Sequence, residues 1–230
     1  MIRAVFFDAG ATLLHPDPPV EEVYALAFAE DGVSVGPEQM GRALTRAWEQ
    51  VHSEDAPDRY AGVRGESGFW QTFLNRVRRE LDGGSVSADC FRKLASHFRD
   101  PSAWAVFPDV RPTLEALERR GLPRAVVSNW DSYLPTLLER LGLAGGFSSI
   151  VVSAVEQTGK PEPEIFRRAC ERMGVLAEEV LHVGDSLHED YEGARAAGLS
   201  ALLLDRMDRH PDVPHRIRSL EEIAQRLEDL

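Results

Sequence analysis

The sequence predicts an α/β fold, a Rossmann-like parallel sheet core interrupted by an all-helical insertion, and three observations carry that prediction. Residues 2–7 are a short apolar run of the kind buried on both faces of a parallel sheet. Residues 16–105 hold no comparable β-run, only segments of helical period set apart by Gly and Pro clusters. From Phe107 onward strand-like and helix-like segments alternate, the signature of a sheet flanked by helices. The expected organisation is a core made of 1–15 and 106–230 and a helical domain over 16–105.

The first strand ends on Val5-Phe6-Phe7 and runs into Asp8, a carboxylate that needs a partner, hydrogen bonds or a metal if it stays near the core. Ala9-Gly10-Ala11 follow, small residues in which Gly10 lets backbone amides approach a ligand and form an anion-binding concavity. The insertion carries helices over 20–30, 37–52, 67–81 and 88–98, with a loop over 55–68 rich in Asp, Gly, Pro and Arg. After Phe107 a helix spans 109–120, with Pro112 in its first turn, where proline is tolerated, and Gly121 at its end. Strands over 123–128, 149–153, 180–183 and 201–204 alternate with helices over 133–141, 162–173 and 189–197, the last ended by Gly198. An amphipathic helix over 219–230 closes the chain.

At 230 residues and 43% hydrophobic content the chain can bury a sizeable core. Its net charge of −12 argues against a nucleic-acid surface and against anionic membrane, and requires any phosphate site to be locally positive. No apolar run reaches the roughly 20 residues that span a bilayer, and the N-terminus lacks the apolar segment of a signal peptide, so a cytoplasmic enzyme is expected. Cys90 and Cys170 have no metal-type spacing and are expected as buried thiols. Among 26 basic residues only Lys93 and Lys160 are lysine. Where arginine serves nearly everywhere, a retained lysine marks a need for a compact ammonium.

In open sheets ligands bind beyond the carboxyl ends of the strands. Asp8 follows the first strand, Ser128 and Asn129 the second, Lys160 lies in the loop after the third, and Gly184-Asp185 follow the fourth. A carboxylate, a hydroxyl, an ammonium and a second carboxylate in four successive slots point to one site.

Asp8-Ala9-Gly10-Ala11-Thr12, Ser128, Lys160 within Thr158-Gly159-Lys160-Pro161-Glu162-Pro163, and Gly184-Asp185-Ser186 with Asp190 together resemble the four motifs of the haloacid dehalogenase superfamily of hydrolases, with a helical cap inserted after the first. The resemblance covers the whole core. It implies a Mg²⁺-dependent, phosphatase-type hydrolase acting on a small phosphorylated molecule through an aspartyl-phosphate. Asp8 is then the nucleophile, and Ser128 and the Asn129 amide hold phosphate oxygens. Lys160 neutralises Asp8 and phosphate, while Asp8, Asp185 and the Gly10 carbonyl bind Mg²⁺. Asp190 and Thr12 are supports, Asp190 by orienting Lys160 or a metal water. Such a set suits phosphoryl transfer, which depends on positioning and on fixed positive charge.

The departure is Gly10, where phosphatases of the superfamily usually carry a second aspartate that protonates the leaving oxygen. A positioned acid contributes about 10²–10⁴ in rate, a small share of the up to ~10²¹ attainable for phosphate monoesters. The expectation is a weaker or narrower phosphatase favouring good leaving groups, in which Gly10→Asp raises turnover of alkyl phosphates. Two alternatives stand beside it. Dehalogenase- and phosphonatase-like branches also lack this aspartate, but the former do without metal, and the latter need a cap lysine, for which only Lys93 is available. A non-catalytic phospholigand-binding protein is the other. Of the remaining residues, His15 reads as a solvated turn residue, Trp70 with Phe73 and Leu74 as cap core, Arg59, Tyr60 and Arg64 as a candidate lid, and His182 as a packed core histidine. No chemistry is assigned to His188 or Glu189.

Overall fold

The computed structural model describes residues 1–53 and 65–228. The chain separates into two compact units, Met1–His15 with Val106–Leu230, and Pro16–Ala105. The second unit holds helices α1 (Val20–Glu30), α2 (Pro37–Ser53), α3 (Gly65–Leu81) and α4 (Ala88–Phe98). Their apolar faces meet in a core that includes Tyr24, Phe28, Met40, Phe73, Val77 and Leu94. Ser87 caps α4 by accepting from the Cys90 amide, the use expected of a serine before a helix. Trp70 packs in this core, with Phe73 edge-on at 5.9 Å and Trp48 stacked at 6.5 Å between ring centroids. Arg59, Tyr60 and Arg64 lie outside the described residues.

The first unit is an α/β layer structure around a six-stranded parallel sheet. Its strands are β1 (Ala4–Phe7), β4 (Arg124–Ser128), β5 (Ser149–Val152), β6 (Val180–Gly184), β7 (Ser200–Leu204) and β8 (Arg216–Ile217), in the order β5-β4-β1-β6-β7-β8. β2 (Leu14–Pro16) and β3 (Trp104–Val106) form a separate two-stranded sheet. The unbroken apolar character of β1 follows from its central position: it pairs with β4 on one side and β6 on the other, and all four residues are buried. Four adjacent strands therefore end side by side, with Phe7 in register with Val126 and Val183, and Ser128 with Val152. Around the sheet lie α5 (Val110–Arg119), α6 (Leu134–Arg140), the short α7 (Ser153–Glu156), α8 (Pro163–Met173), α9 (Gly193–Ala196) and α10 (Ile223–Arg226).

Besides β2, β3 and α7, which the sequence pattern does not predict, three stretches differ from the sequence-based expectation. The helix expected over 189–197 begins as a π-wound turn, Leu187–Glu192, before α9. The wider winding accompanies an Asp190 side chain turned back to accept from the Ser186 amide at 3.0 Å. The closing helix is reduced to a tight turn, Leu220–Glu222, and the four residues of α10, anchored by buried Leu220 and Ile223. β8, with two residues, is too short to show a strand period and forms only because Ile217 pairs with Leu204 at the sheet edge.

The loop after β1 is tied by Leu13 and Leu14 amides donating to the Ala9 carbonyl and by the Ala11 amide donating to Leu14. Its left-handed residue is Ala11, with φ 53°, rather than Gly10. An alanine held there is strained by about 1–2 kcal/mol, against about 0.4–1 kcal/mol for the greater unfolded-state freedom of glycine. Ala11→Gly is therefore expected to raise Tm by about 2–4 °C, a gain of about 1 kcal/mol, in a melting experiment.

Candidate active site

Asp8 sits one residue past β1, with its amide donating to the Val183 carbonyl at 2.9 Å and its side chain almost fully buried. Ser128, the last residue of β4, donates its hydroxyl to Asp8 Oδ1 at 2.8 Å. Lys160 Nζ donates to the same oxygen at 2.6 Å, so Oδ1 is engaged twice and Oδ2 carries neither bond. Lys160 is 1% exposed, and its ammonium also donates to Asp190 Oδ1 at 2.5 Å. Burial alone would lower its pKa, but Asp190 and Asp8 outweigh burial and hold it well above the usual lysine range. The retained lysine is thus a buried ammonium between two carboxylates.

Asp190 accepts three hydrogen bonds. Oδ1 accepts from Lys160 and from His182 Nε2 at 2.9 Å, and Oδ2 accepts from the Ser186 amide. Burial would raise its pKa, yet Lys160 and His182 hold it below the ordinary carboxylate range. Its carboxylate packs directly on the backbone of β6: a Cβ built on Gly184 would lie 2.1 Å from Asp190 Cγ, so no other residue fits there. Gly193 serves the same purpose on α9, where a Cβ would come within 2.8 Å of Pro161 Cα, next to Lys160.

The side chain of Asn129 brackets the lysine backbone. Its Oδ1 accepts from the Lys160 amide at 2.7 Å, and its Nδ2 donates to the Lys160 carbonyl at 2.8 Å and to Glu189 Oε2 at 3.0 Å. Only the Asn129 amide is left for the anion-binding role expected from the sequence. Glu189 enters the site through this bond.

Carboxylate oxygens of Asp8, Asp185 and Asp190 lie within 4.8 Å of one another. Three carboxylates against the one ammonium of Lys160 leave two negative charges when all are ionised. Burial, then the charges of Asp8 and Asp190, push the Asp185 carboxyl up to about 7. Burial outweighs Lys160 and raises Asp8 to about 6. Crowded, partly desolvated oxygens with a deficit of positive charge fit a hard divalent cation. Since Asp190 already serves three donors, Asp8 and Asp185 are the carboxylates suited to hold it, with the Gly10 carbonyl in the same loop.

The loop itself is held by residues that sequence reading did not single out. A Cβ at Gly10 would meet Cζ3 of Trp130 at 3.2 Å, so the indole lies against the position where an acid was sought, and Gly10→Asp requires the ring to give way. The Thr12 hydroxyl is fully buried and makes no hydrogen bond among the described residues, whereas its carbonyl accepts from Arg206 Nη2 at 3.0 Å. Arg206 also forks onto Asp109 at 2.8 and 3.0 Å and lies 4.0 Å over the Phe107 ring. Asp109 in turn accepts from Ser219 and the Leu220 amide. His15 packs on Phe107, ring centroids 4.6 Å apart, and is half-buried rather than a solvated turn residue. His188 is exposed and bonds Glu192 at 3.3 Å. Cys90 and Cys170 are buried free thiols, both pushed up to about 11 chiefly by burial.

A family model describing haloacid dehalogenase-like hydrolases matches residues 2–198. The haloacid dehalogenase-like hydrolase domain-containing protein 3 of Danio rerio is 36% identical over 237 aligned positions, which cover 99% of this chain and 97% of the relative. Among solved structures, a HAD phosphatase from Thermococcus onnurineus is similar at TM-score 0.70 and 28% identity, covering 98% of both chains. A dehalogenase is similar at TM-score 0.71 and 25% identity, covering 96% of this chain and 95% of the other. These two neighbours carry different chemistries, so the choice between them falls to the residues of the site.

Proposed function

Because this chain belongs to the haloacid dehalogenase-like hydrolases, we propose that it is a Mg²⁺-dependent phosphatase that hydrolyses a small phosphate ester through an aspartyl-phosphate on Asp8. The observation that carries this reading is the cluster of Asp8, Asp185 and Asp190, whose charge exceeds that of Lys160 beside the nucleophile. A site for a neutral or carbon-centred reaction has no need of that excess. In the dehalogenase branch, as the sequence resemblance implies, no metal is used. The phosphonatase branch needs an uncharged cap amine. Lys93 is instead an ammonium bonded to Glu30 at 2.8 Å and Asp89 at 3.1 Å, which push its pKa up to about 12.

Asp8 Oδ2, the oxygen without the Lys160 and Ser128 bonds, attacks phosphorus as the bond to the leaving oxygen breaks. Ser128 and the Asn129 amide steady the phosphoryl oxygens, and Lys160 offsets their charge. Asp8, Asp185 and the Gly10 carbonyl would hold Mg²⁺, which would supply further charge neutralisation. With glycine at position 10 the leaving oxygen takes its proton from water, which favours good leaving groups. Water then attacks the phosphorus of the acyl phosphate, releasing phosphate and restoring the Asp8 carboxylate. The helical unit Pro16–Ala105 is the substrate-selecting cap in this reading. We take the enzyme to act in the cytoplasm on small metabolites; among the described residues no helix is long and apolar enough to cross a membrane.

The direct test is phosphate release from p-nitrophenyl phosphate with Mg²⁺ and with chelator, alongside chloride release from 2-chloropropionate. Phosphate release that chelator abolishes is expected. Chloride release without Mg²⁺ would instead establish the dehalogenase reading. Absence of both, with no beryllium-fluoride adduct on Asp8, would establish a non-catalytic protein.

Charge crowding also predicts a pH dependence. Asp185 is raised from 3.8 to about 7 in the fold, so its contribution to stability is present below about pH 4 and is lost as pH rises through 7. Metal-free protein is expected to lose stability over that range. Asp185→Asn should flatten the slope and raise the metal-free Tm at pH 8 by at least about 2 °C, the shift for about 1 kcal/mol in a chain of this size. Mg²⁺ should raise the Tm of the parent at pH 8 and leave that of the variant unmoved.

A further inference from the structure

β6 carries His182 into the middle of the core, where it is fully buried and meets Phe166 edge-on, ring centroids 5.1 Å apart. Its Nε2 lies 2.9 Å from Asp190 Oδ1, the oxygen that also accepts from Lys160, and Lys160 donates onward to Asp8. Asp190 is the anion that balances a buried ammonium, and an anionic carboxylate only accepts, so Nε2 bears the proton and donates. His182 Nδ1 has no hydrogen-bond partner among the described residues. A second proton there would place a cationic N–H in the core with nothing to accept from it, which is costly, so the ring is neutral. Burial acts in the same direction, lowering its pKa.

What remains is how Asp190 keeps its orientation. Gly184 presents bare backbone beneath the carboxylate, and the Ser186 amide restrains only Oδ2. On Oδ1 the donors are Lys160 and His182. Without His182 the lysine and its counter-ion are free to shift together, and the 2.6 Å contact with Asp8 has no rigid reference.

We propose that His182 is a positioning residue: its Nε2–H pins Asp190 Oδ1 to the central sheet, so that the Lys160 ammonium stays aimed at Asp8. The buried chain His182, Asp190, Lys160, Asp8 thus links strand β6 to the nucleophile. The catalytic consequence rests on the phosphatase reading, whereas the effect on Lys160 does not.

Two variants separate this from simple packing. His182→Gln keeps an N–H at similar reach, and His182→Met has similar bulk without a donor. Since Lys93 and Lys160 are the only lysines in the chain, protein labelled with ¹⁵N at lysine Nζ gives two ammonium signals. The buried Lys160 signal is expected to persist in the parent and in His182→Gln, and to shift and broaden by exchange in His182→Met. With p-nitrophenyl phosphate, kcat should fall about 10- to 100-fold in His182→Met, the loss of one hydrogen bond to a charged group. KM should hold within about twofold, and His182→Gln should keep kcat within about threefold of the parent. An unchanged Lys160 signal in both variants would overturn the proposal, as would equal losses of kcat that track a shared fall in Tm. If the lysine signal separates the variants while the parent hydrolyses no phosphate ester, the phosphatase reading fails and the positioning of Lys160 stands.

Discussion

Asp8→Asn is expected to reduce phosphate release from p-nitrophenyl phosphate by about 10⁴-fold or more, to background, at any Mg²⁺ concentration. Asparagine keeps the shape of the side chain and an oxygen for Ser128 and Lys160, but its amide is not a nucleophile. The fold should survive the change. Lys160 stays paired with Asp190, and the substitution removes a carboxylate that burial already disfavours, raising it to about 6. Tm should therefore be no lower than that of the parent, which assigns the loss of rate to chemistry. Turnover at parent levels in a folded Asp8→Asn protein would place the nucleophile elsewhere.

Lys160→Met carries the largest expected effect on stability. Methionine fills much of the space but leaves Asp190 and Asp8 buried without their shared ammonium. Removing one partner of a buried ion pair costs about 3–5 kcal/mol, a fall of roughly 10 °C in Tm for a chain of this size. The double variant Lys160→Met/Asp190→Asn should recover part of that fall, because the uncompensated charge is then gone, and a double-mutant cycle on the melting curves measures the coupling. Activity should be lost in both. Lys160→Arg is not a conservative test, since a planar guanidinium cannot replace a compact ammonium 1% exposed between two carboxylates.

Much of the molecule was legible before any coordinates. β1 is apolar because both its faces are covered, and the helices of Pro16–Ala105 show their period because one face of each meets a shared core. Asp8, Ser128, Lys160 and Asp185 were legible because each lies at or after the end of a strand of a parallel sheet, and the ends of β5, β4, β1 and β6 adjoin. The scarcity of lysine singled out Lys160. These are local signals, carried by residue type and short spacing.

The partners were not legible. His182 read as ordinary core because the strand pattern around it is apolar, and its bond to Asp190 depends on a π-wound turn that no periodicity reports. Nothing local shows that the Asn129 side chain brackets the Lys160 backbone, 31 residues away. Arg206, one of 24 arginines, is distinguished only by reaching Thr12, 194 residues earlier in the chain.

The same division holds at Gly10. Sequence alone determined the fold class, the helical insertion, the nucleophile candidate and the absence of an acid two residues after it, because these follow from residue identity and order. The tertiary structure decided that Gly10 faces the Trp130 ring, that Ala11 takes the left-handed conformation, and that Asp190 bonds both Lys160 and His182. Hydrogen-bond partners and close approaches are set by where the backbone places atoms from distant segments, within tenths of an ångström, and a linear pattern holds no such distances.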